Sequence, residues 1–592
     1  MAFIINPYIF GAAGYVVDHA LVFNGVDEYL QLASPSARSS ARIGTLDFWF
    51  KRHSDGGSQV FFGQDSPDTG YGMYLWIDAS KRLQFSTENA DGSVMLNRIS
   101  TGTFLDTTSW YHVNIQWDTG QTDNTSCTVR VNGVAIAMGT TTNPASAIDN
   151  PIFKTGNHIR MGRWQNTDAT RFLHGSFANV CYHDGVHCIN GETSDGIWIP
   201  TDPTDNAFGD GGFFLEFGNP SSLGADTSGN SHNFDVTNLV AADQLEDSPT
   251  NDADNDVGNY PTINPSLPVP SVAESQPSHV LSEGNLTATG TGSPGYVQSS
   301  VVTQGISSGK FYWEFTFVSG AISSRIGIAT AASISATAPN ISVYVGNEAT
   351  SNTNWALNAW ASGAQKGKIG HGTGSVTQGN YANSTTWAAS DVVGVALDMD
   401  NGALWFHRNG TYLGADLAAG NAATISEVQA GTVTNAAVGP NSNCGHNVNL
   451  SSLGTVIPCF TTDGGGAAVV SINFGQKAFA HTVPTGFKRL MSANMAALSV
   501  SSPATGSFTG NALAGGPFIY LGYTPNTSGT STITESGGSA STITWGTHAR
   551  AYSNGFKIIA SADDYNKAAV NAYSIAIDTD AQFASNNRSV VS

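Results

Sequence analysis

The segment at residues 391–414, DVVGVALDMDNGALWFHRNGTYLG, constrains the fold more than any other part of the sequence. Apolar residues occupy alternate positions in two runs, which are Val393, Val395 and Leu397, and then Leu404 and Phe406. A period of two is typical of strands that pack one face against a core. Asp400-Asn401-Gly402 separates the runs and Asn409-Gly410 follows them, and Asn-Gly pairs favour the positive φ of a tight hairpin turn. The segment therefore predicts three consecutive strands joined by hairpins.

Composition limits the kinds of partner that this chain can have. The 592 residues are 40% hydrophobic and include 66 glycines, which is enough for about three domains with separate cores. Only 12% of the residues are charged, whereas about a quarter is usual, and this favours a β-rich extracellular or virion protein. The net charge of −21 argues against nucleic acid or an anionic membrane surface as a partner, because both require basic patches.

The pattern of residues 391–414 recurs in the first third of the chain. Apolar residues alternate with polar ones at Leu46, Phe48 and Phe50, at Val113, Ile115 and Trp117, and at Val129 and Val131. Asn132-Gly133 follows the last run and predicts a further hairpin. No window has a sustained helical period. We therefore predict an all-β fold of tandem β-sandwich or jelly-roll domains with a small C-terminal β-domain.

Two parts of the sequence resemble known domain families. The stretches ALVFNG (20–25), WYHV (110–113) and HGSFANV (174–180) resemble the laminin-G or concanavalin-type jelly roll. The stretches GKFYWEF (309–315), INFGQ (472–476) and PTGF (484–487), together with the hairpins of residues 391–414, resemble SPRY domains, which are β-sandwich binding modules. The second resemblance covers residues 276–492. It implies a fold but no ligand, because such sandwiches bind through variable loops.

The segments that follow the jelly-roll-like part suggest a function. The stretches are YHDG (182–185), GIWIP (196–200), GGFFLEF (211–217), LGADTSGN (223–230) and DSPTN (247–251). They resemble the region that follows the jelly roll in bacteriophage tail-fibre and virion proteins, where a SPRY-like domain commonly comes next. The resemblance implies a virion appendage, a tail fibre or receptor-binding subunit, that adheres to a host-surface glycan or protein. A capsid-decorating protein is an alternative that the sequence does not separate from a fibre.

These patterns predict five parts of the chain. They are an N-terminal arm (1–17), a jelly roll (18–218), an acidic proline-containing linker (219–275), a SPRY-like sandwich (276–492) and a small C-terminal β-domain (493–592). The arm is apolar but has no basic leading segment or long hydrophobic run, so it predicts neither a signal peptide nor a membrane span. By resemblance to phage fibres we expect a homo-oligomer, a trimer, that buries the arm and meets other virion or tail proteins.

The sequence predicts no catalytic site and no cofactor. Concanavalin-type folds also serve as glucanases, which makes a virion-borne glycan hydrolase the rival hypothesis. Retaining glycosidases need two carboxylates about 5–5.5 Å apart. The nearest candidates, Glu88 with Asp91 and Glu192 with Asp195, lie in polar stretches that are typical of solvated loops.

No metal site is predicted either. Cys181, His183, His187 and Cys188 have a spacing that fits neither a zinc ribbon nor a zinc finger. The acidic run at residues 252–256 departs from the EF-hand pattern, and whether it binds calcium is left open. The five cysteines are too few and too irregular for a disulfide framework, so we expect reduced, partly buried thiols.

Aromatic residues are the remaining candidates for ligand binding. In the SPRY-like part, four aromatics lie within polar, glycine-rich sequence, and they are Trp355, Trp360, Tyr381 and Trp387. Aromatic faces suit sugar rings and apolar peptide side chains. Trp360 is the best candidate for exposure because it stands at a predicted strand end.

Overall fold

The fold is taken from a computed structural model of the chain. It describes residues 2–4, 15–33, 38–54, 56–65, 72–88, 92–104, 106–154, 156–164, 170–194, 197–250, 252–265, 279–290, 297–320, 323–330, 354–360, 367–371, 386–414, 422–443, 446–463, 468–495, 508–510, 529–535, 540–545, 558–560, 575–577 and 589–591. The described residues from 15 to 259 form one compact unit, and those from 260 to 577, with short strands at both termini, form a second. Almost all regular structure is β, which confirms the predicted fold class.

Among the described residues, nineteen strands precede residue 260. They are β1 (Ala2–Ile4), β2 (Ala20–Asn24), β3 (Tyr29–Leu32), β4 (Ile43–Arg52), β5 (Gln59–Asp65), β6 (Met73–Ile77), β7 (Arg82–Glu88), β8 (Val94–Thr103), β9 (Trp110–Asp118), β10 (Cys127–Val131), β11 (Val134–Ala135), β12 (Met138–Thr142), β13 (His158–Met161), β14 (His174–Asp184), β15 (Gly191–Ser194), β16 (Ile197–Pro200), β17 (Phe213–Leu215), β18 (Asp235–Thr237) and β19 (Gln244–Leu245). Short 3₁₀ turns occur at Asn124–Ser126, Pro203–Asp205 and Ala241–Asp243.

The first unit is a sandwich of two eight-stranded antiparallel sheets. One sheet has the order β11-β10-β9-β4-β14-β2-β19, with β17 beside β14, and is called sheet 1. The other, sheet 2, has the order β12-β8-β7-β6-β5-β13-β3-β18. Phe48 of sheet 1 packs edge-on against Phe62 of sheet 2, with ring centroids 5.6 Å apart. The alternating apolar residues of the sequence therefore form the layer between the sheets, as a half-buried strand pattern requires.

Residues 219–259 belong to the first unit, so the prediction of a linker at 219–275 is wrong for this part. Strand β18 pairs with β3, and β19 pairs with β2, so both extend the sandwich. Leu223 and Phe234 are members of the core between the sheets. The segment is polar because it lies over the surface of the sandwich, and that polarity is also typical of linkers. Of the predicted N-terminal arm, Tyr15 and Val17 likewise pack on the first unit, against Trp49 and Trp110.

A buried ion pair attaches the segment that follows β19 to sheet 1. Lys51 of β4 points away from the core, and its Nζ lies 2.9 Å from Oδ2 of Asp247 and 2.6 Å from Oδ1 of Asn259. Asp247 also accepts a hydrogen bond from the indole N–H of Trp110, and Asn259 donates to the backbone oxygen of Thr108. Both charged side chains are almost completely buried. Such a pair needs every one of these partners, because a buried charge without them is costly.

The second unit contains strands on either side of a short helix. They are β20 (Val280–Ser282), β21 (Thr287–Thr289), β22 (Val297–Val301), β23 (Lys310–Ser319), β24 (Ser323–Thr330), β25 (Asn354–Trp360), β26 (Ile369–His371), β27 (Val392–Asp398), β28 (Ala403–Arg408), β29 (Thr411–Tyr412), α1 (Ile425–Ala430), β30 (Val456–Asp463), β31 (Val469–Asn473) and β32 (Lys488–Arg489). Short 3₁₀ turns occur at Val433–Asn435, Leu450–Leu453 and Ser492–Asn494. Thr424 and Glu427 form a capping box at the start of α1, and Gly431 ends the helix in the left-handed conformation.

Two sheets face each other in the second unit. Sheet 3 has the order β20-β21-β31-β23-β27-β28-β29, with β32 parallel to β23, and sheet 4 has the order β22-β30-β24-β25-β26. Phe315 of sheet 3 lies 5.8 Å from Phe460 of sheet 4, between ring centroids, so the core lies between the sheets. The opposite face of sheet 3 is also covered, because Trp405 packs in a second cluster with Val428 of α1 and Phe487. Strand β27 is consequently buried on both faces rather than on one.

The two turns of the 391–414 segment differ from each other. Asn409 and Gly410 have φ values of 50° and 81°, and Arg408 pairs directly with Thr411, which is the two-residue hairpin that the sequence predicts. The first turn has four residues, since Asp398 pairs with Ala403 and only Gly402 has positive φ. There the side chain of Asp398 accepts hydrogen bonds from the backbone N–H groups of residues 400 and 401.

Strands β33 (Phe508–Gly510), β34 (Gly529–Glu535), β35 (Ala540–Trp545), β36 (Ile558–Ala560), β37 (Ile575–Ile577) and β38 (Ser589–Val591) follow the second unit in the chain. Strands β33, β34 and β35 form one small sheet and β36 pairs with β37. Strand β1 pairs antiparallel with β38, so the start of the predicted arm meets the end of the chain. The contacts group all of these strands with the second unit, and they do not separate residues 493–592 as the predicted third domain.

We expect Asp247→Ala to destabilise the first unit by about 3–5 kcal/mol, because it leaves the Lys51 ammonium buried without its carboxylate. Urea unfolding gives the magnitude, and hydrogen exchange of peptides from β4 locates the effect. The double variant Lys51→Met/Asp247→Leu removes both charges and should recover most of the loss. The control is Asp254→Ala, at an exposed position in the same segment. Equal effects of Asp247→Ala and Asp254→Ala would contradict the structural importance of the pair.

Phe406→Ala should destabilise the second unit by about 3–5 kcal/mol, because the ring is fully buried and pairs across the strands with Val395. The matched control is Val318→Ala, since Val318 of β23, in the same sheet, is 47% exposed. Urea unfolding should show a shift for the first variant and a change of no more than about 0.5 kcal/mol for the second. A stability of Phe406→Ala equal to that of the control would show that this face does not form the core.

Candidate ligand-binding site

The four aromatic residues predicted for ligand binding do not form a surface in the described part of the chain. Trp355 is 0% exposed and Trp387 is 1% exposed. Trp387 packs edge-on against Phe317, 6.1 Å between ring centroids, and Trp355 pairs with Ile328 across two strands of sheet 4. This is a correction, because both rings contribute to packing and offer no face to a ligand. Trp360 is the last residue of β25 and pairs with Ser323, but its side chain lies outside the described residues, as does all of Tyr381.

The outer face of sheet 2 carries a different group of aromatic residues. In β6 the core-facing residues Met73, Leu75 and Ile77 are buried, and they alternate with Tyr74 and Trp76, which are half-buried. Trp164, which follows β13, stacks on Tyr74 with ring centroids 4.7 Å apart and planes 22° apart. It also meets Trp76 edge-on at 5.0 Å. We call Tyr74, Trp76 and Trp164 the aromatic platform.

Trp164 can lie on the sheet because the strand below it has no side chain at the point of contact. Gly63 of β5 pairs with Tyr74 on one side and with Arg160 on the other. A Cβ atom on Gly63 would lie 2.1 Å from the backbone oxygen of Trp164, a distance that no side chain can occupy. Gly162 follows β13 with a φ of 87°, and a bridge joins Arg163 to Phe172. This bridge is next to Trp164 in the chain and holds Trp164 against β6.

Cationic side chains accompany the platform. The guanidinium carbon of Arg171 lies 4.1 Å from the ring centroid of Trp164 and 5.6 Å from that of Trp76. The guanidinium of Arg163 lies 4.8 Å from the ring of Tyr29. Arg160 is buried in the same row of the sheet, and its Nε donates to Oε1 of Gln31 at 2.8 Å. Stacking on aromatic rings fixes the positions of the two outer guanidinium groups.

Polar groups of the platform are suited to hydrogen bonding without proton transfer. Partial burial raises the pKa of Tyr74, so its hydroxyl is neutral and can donate or accept near pH 7. Among the described residues, none accepts a hydrogen bond from the indole N–H of Trp76. The arrangement can bind a ring and orient its hydroxyl groups.

The alternation in the sequence MYLWI at residues 73–77 could have identified two of these residues. It places Tyr74 and Trp76 on the face opposite three apolar side chains, and large aromatics on the outer face of a strand are a sign of a binding surface. Nothing in the sequence indicates that Trp164 joins them, because that contact depends on the pairing of β13 with β5.

A buried Asp–His pair on sheet 1 resembles part of a catalytic relay but is closed. Oδ1 of Asp47 lies 2.8 Å from Nε2 of His112. The indole N–H of Trp198 donates to Nδ1 of His112 at 3.0 Å, so the proton of this ring is on Nε2 and is donated to Asp47. A hydrolytic relay has a nucleophile at the second ring nitrogen, and here an indole occupies that position. The trio fastens Trp198 to the sheet.

Two glycines make the position of Trp198 possible. A Cβ atom would lie 2.3 Å from the indole ring at Gly133 and 2.6 Å from it at Gly191. Gly133 belongs to the Asn132-Gly133 hairpin that the sequence predicts, with φ values of 48° and 78°. This turn therefore needs glycine for the packing of Trp198 as well as for its backbone conformation.

A second buried network lies on the outer face of sheet 3. The hydroxyl of Tyr312 donates to Oε1 of Glu314 at 2.7 Å and lies 2.6 Å from Nε2 of His407. Nδ1 of His407 accepts the backbone N–H of Gly410, so Nε2 carries the proton and donates to Tyr312. Burial lowers the pKa of His407 to about 3, and repulsion from His481 adds to this shift. The imidazole is neutral and its nitrogens are engaged, so the network is a structural one.

The structure also locates the other residues that the sequence offered as catalytic or metal-binding candidates. Glu88 ends β7 and Glu192 lies in β15, so both are in strands rather than loops, while Asp91 and Asp195 are outside the described residues. His183 is hydrogen-bonded to the backbone oxygen of Ala207 and to Asn190, and His187 donates to the backbone oxygen of Trp117. Within the described ranges, no group of three potential metal ligands occurs.

Two further groups of sequence-based candidates are the acidic run at residues 252–256 and the cysteines. The carboxylate of Asp252 accepts hydrogen bonds from the backbone N–H groups of Asp254 and Asn255, so the acidic run forms a closed turn. Four cysteines, Cys127, Cys181, Cys188 and Cys459, are buried thiols, and Cys444 is outside the described residues.

The Asp47 trio predicts a specific dependence of stability on pH. Burial alone raises the pKa of Asp47, but attraction to His112 and hydrogen bonds from His112 and Asn114 outweigh burial and lower the pKa below its ordinary value of 3.8. The ionised form therefore stabilises the folded state above pH 3.8, and this contribution is lost as the pH falls below 3.8 through the folded-state pKa. Urea unfolding of wild type and Asp47→Asn between pH 6 and about pH 2.5 is the measurement. We expect the difference in unfolding free energy to shrink below about pH 4, and a constant difference would contradict the assignment.

Comparison with known families identifies two regions of the chain. Residues 24–186 match the concanavalin A-like lectin/glucanase superfamily in its laminin-G form, and residues 310–475 match the SPRY domain. Among curated proteins, no sequence matches the chain. Among the described residues, no helix is long and apolar enough to cross a membrane.

Solved structures that resemble parts of the chain have low sequence identity. A heptameric SAP-like pentraxin from Limulus polyphemus has 14% identity and a TM-score of 0.24, over 30% of this chain and 80% of that one. The SPRY domain of human HERC1 has 14% identity and a TM-score of 0.22, over 36% and 99%. A protein described as a carbohydrate-binding protein from Bacteroides ovatus has 16% identity and a TM-score of 0.26, over 37% and 59%. The family matches assign a concanavalin A-like domain to residues 24–186 and a SPRY domain to residues 310–475, two domain types that fit a binding or adhesion role.

Proposed function

We propose that the chain is a non-catalytic adhesion protein whose concanavalin A-like domain binds carbohydrate through the aromatic platform. The observation that carries the proposal is the stacking of Trp164 on Tyr74 beside Trp76, on the outer face of a sheet. Sugar rings expose flat C–H faces that pack on aromatic rings, and their hydroxyls pair with neighbouring polar groups. Half-buried rings suit this role because packing fixes their positions before the ligand arrives.

We further propose that the protein is a bacteriophage virion appendage, a tail fibre or receptor-binding subunit. Support comes from the order of the sequence segments, in which a jelly roll, the run from residue 182 to 251 and a SPRY domain follow one another. A capsid-decorating protein with the same domains is the alternative within this class.

Adhesion of this kind works through several copies. Linking weak sites raises the apparent affinity by a factor on the order of 10²–10⁴ when the geometry permits simultaneous binding. We therefore propose a homo-oligomer, a trimer, on the virion surface. Its platforms would face the host-surface glycan, and other virion or tail proteins would hold its base.

The absence of catalysis is part of the proposal. The two networks that most resemble catalytic machinery are closed, since Trp198 occupies the second nitrogen of His112 and both nitrogens of His407 are engaged. A catalytic role would require a group positioned to attack a substrate, and neither network offers one.

The test is binding of the full chain to a panel of host-surface polysaccharides, with oligosaccharide release measured in the same samples. Trp164→Ala should weaken binding about tenfold, which corresponds to about 1.4 kcal/mol. The matched control is Phe208→Ala, because Phe208 is a half-buried ring that stacks on His183 at sheet 1 instead. Melting temperatures verify that both variants are folded.

Two results would refute the proposal. One is equal binding by wild type and a folded Trp164→Ala variant. The other is release of oligosaccharides that a single Asp or Glu substitution abolishes, which would establish the hydrolase in its place.

A further inference from the structure

Lys51 lies against an amide and a carboxylate at the same time, in the buried layer that covers sheet 1. Its Nζ is 2.6 Å from Oδ1 of Asn259 and 2.9 Å from Oδ2 of Asp247. These partners are 208 and 196 positions away from Lys51 in the chain. The fold therefore brings together an amine, a neutral carbonyl group and a general base, which are the three groups that formation of an amide bond needs.

The amide group of Asn259 is held with its oxygen towards Lys51. Its Nδ2 donates to the backbone oxygen of Thr108 at 2.8 Å, and its Oδ1 accepts from the lysine, which has only donors to offer. A C=O bond is about 1.2 Å long, so Nζ of Lys51 is less than about 4 Å from Cγ of Asn259. This separation is close to the distance of about 3–3.5 Å from which reacting atoms form a bond.

Burial gives the Lys51–Asp247 pair access to a reactive, uncharged form. The side chain of Lys51 is 0% exposed and that of Asp247 is 4% exposed, and Asn259 is buried beside them. Two charges are costly in such a layer, and transfer of one proton from Nζ to Oδ2 removes both of them. A neutral lysine in a dry site is a nucleophile with which water does not compete. The indole N–H of Trp110 holds the carboxylate in position by donating to Oδ1.

From this geometry we infer that Lys51 and Asn259 become joined by an intramolecular amide bond, with Asp247 as the catalytic residue. Asp247 takes a proton from Nζ, and the neutral Nζ attacks Cγ of Asn259. The new Nζ–Cγ bond forms as the bond from Cγ to Nδ2 breaks. Two of the three Nζ protons pass through Asp247 to Nδ2, which leaves as ammonium. The carboxylate ends as it began, and nothing is oxidised or reduced.

The two partners of Lys51 have different roles because of their charge. The carboxylate of Asp247 is a base, and its negative charge repels the lone pair of an amine that approaches its carbon. The carbonyl group of Asn259 is neutral and is therefore the group that is attacked. The reaction occurs once within one chain and uses no external substrate, so it is separate from any activity towards glycans.

The bond joins the central part of sheet 1 to the end of the first unit. Strand β4 lies between β9 and β14, and Asn259 is the last residue of that unit before the chain enters the second. The covalent path from residue 51 to the chain beyond residue 259 then bypasses residues 52–258. A force along the chain is carried by the amide bond, and the sandwich need not unfold to resist it. This property goes beyond the proposed function and does not depend on carbohydrate binding.

The experiment is mass spectrometry of the intact, denatured full chain, followed by digestion. We expect the wild-type mass to be lower than the sequence mass by one ammonia molecule, and digestion to give a branched peptide that joins residues 51 and 259. Three variants should have the full mass of their sequences. Lys51→Arg keeps the charge but has no nucleophilic amine, Asn259→Ala has no carbonyl group to attack, and Asp247→Asn has no base. The control is Lys154→Arg, at an exposed lysine, which should keep the loss of ammonia.

The wild-type measurement decides the inference even if a variant does not fold. A folded wild-type chain with its full sequence mass overturns it, and so does a loss of ammonia that digestion locates at other residues. Loss of water, with a peptide that joins Lys51 to Asp247 instead, also overturns it. Loss of ammonia that persists in folded Asp247→Asn overturns the role of Asp247. The urea comparison of Asp247→Ala concerns the ion pair, so it is made on chain whose intact mass shows no bond.

Discussion

In each unit a central strand is covered on both of its faces. This constraint determines which partners many of the buried polar groups must have. In the first unit Phe48 of β4 faces the core, while Asp47 and Lys51 of the same strand face a second buried layer. A polar group in that layer cannot reach water and must have a partner inside the protein. The Lys51–Asp247 pair and the Asp47–His112–Trp198 trio meet this requirement. In the second unit Tyr312, Glu314 and His407 do the same on sheet 3.

The strands and hairpins could be predicted from the sequence because their signals are local. Alternation identified β4, β9, β27 and β28, and Asn409-Gly410 forms the predicted two-residue turn. The second covered face was not predicted, since Trp405 and Ala396 look like ordinary members of a strand until α1 is placed over them. The supposed linker was misread for a related reason. A polar segment that lies along a sandwich has the composition of one that connects domains, and Asp247 becomes distinctive only when Lys51 is seen beneath it.

The candidate site shows the same division between local and long-range information. Tyr74 and Trp76 are two residues apart on one strand, so the sequence places them on a common face. Trp164 and Arg171 reach that face through strand pairings that no local pattern encodes. Conversely, Trp355 and Trp387 occur in polar, glycine-rich sequence that is typical of a surface, yet their rings are buried. The surroundings of an aromatic residue in sequence are therefore a poor guide to its exposure, whereas its register in a strand is a good one.

The contact between Gly63 and the backbone of Trp164 has a consequence for how this surface can change over generations. Any side chain at position 63, even a methyl group, would collide with the backbone of Trp164. The positions that face outward, such as Arg171, meet no such restriction from the backbone beneath them. Natural variation should accordingly be uneven. Position 63 should remain glycine, whereas the outward-facing residues above it should vary. Side chains on this surface can therefore be exchanged without redesigning the sandwich that supports them.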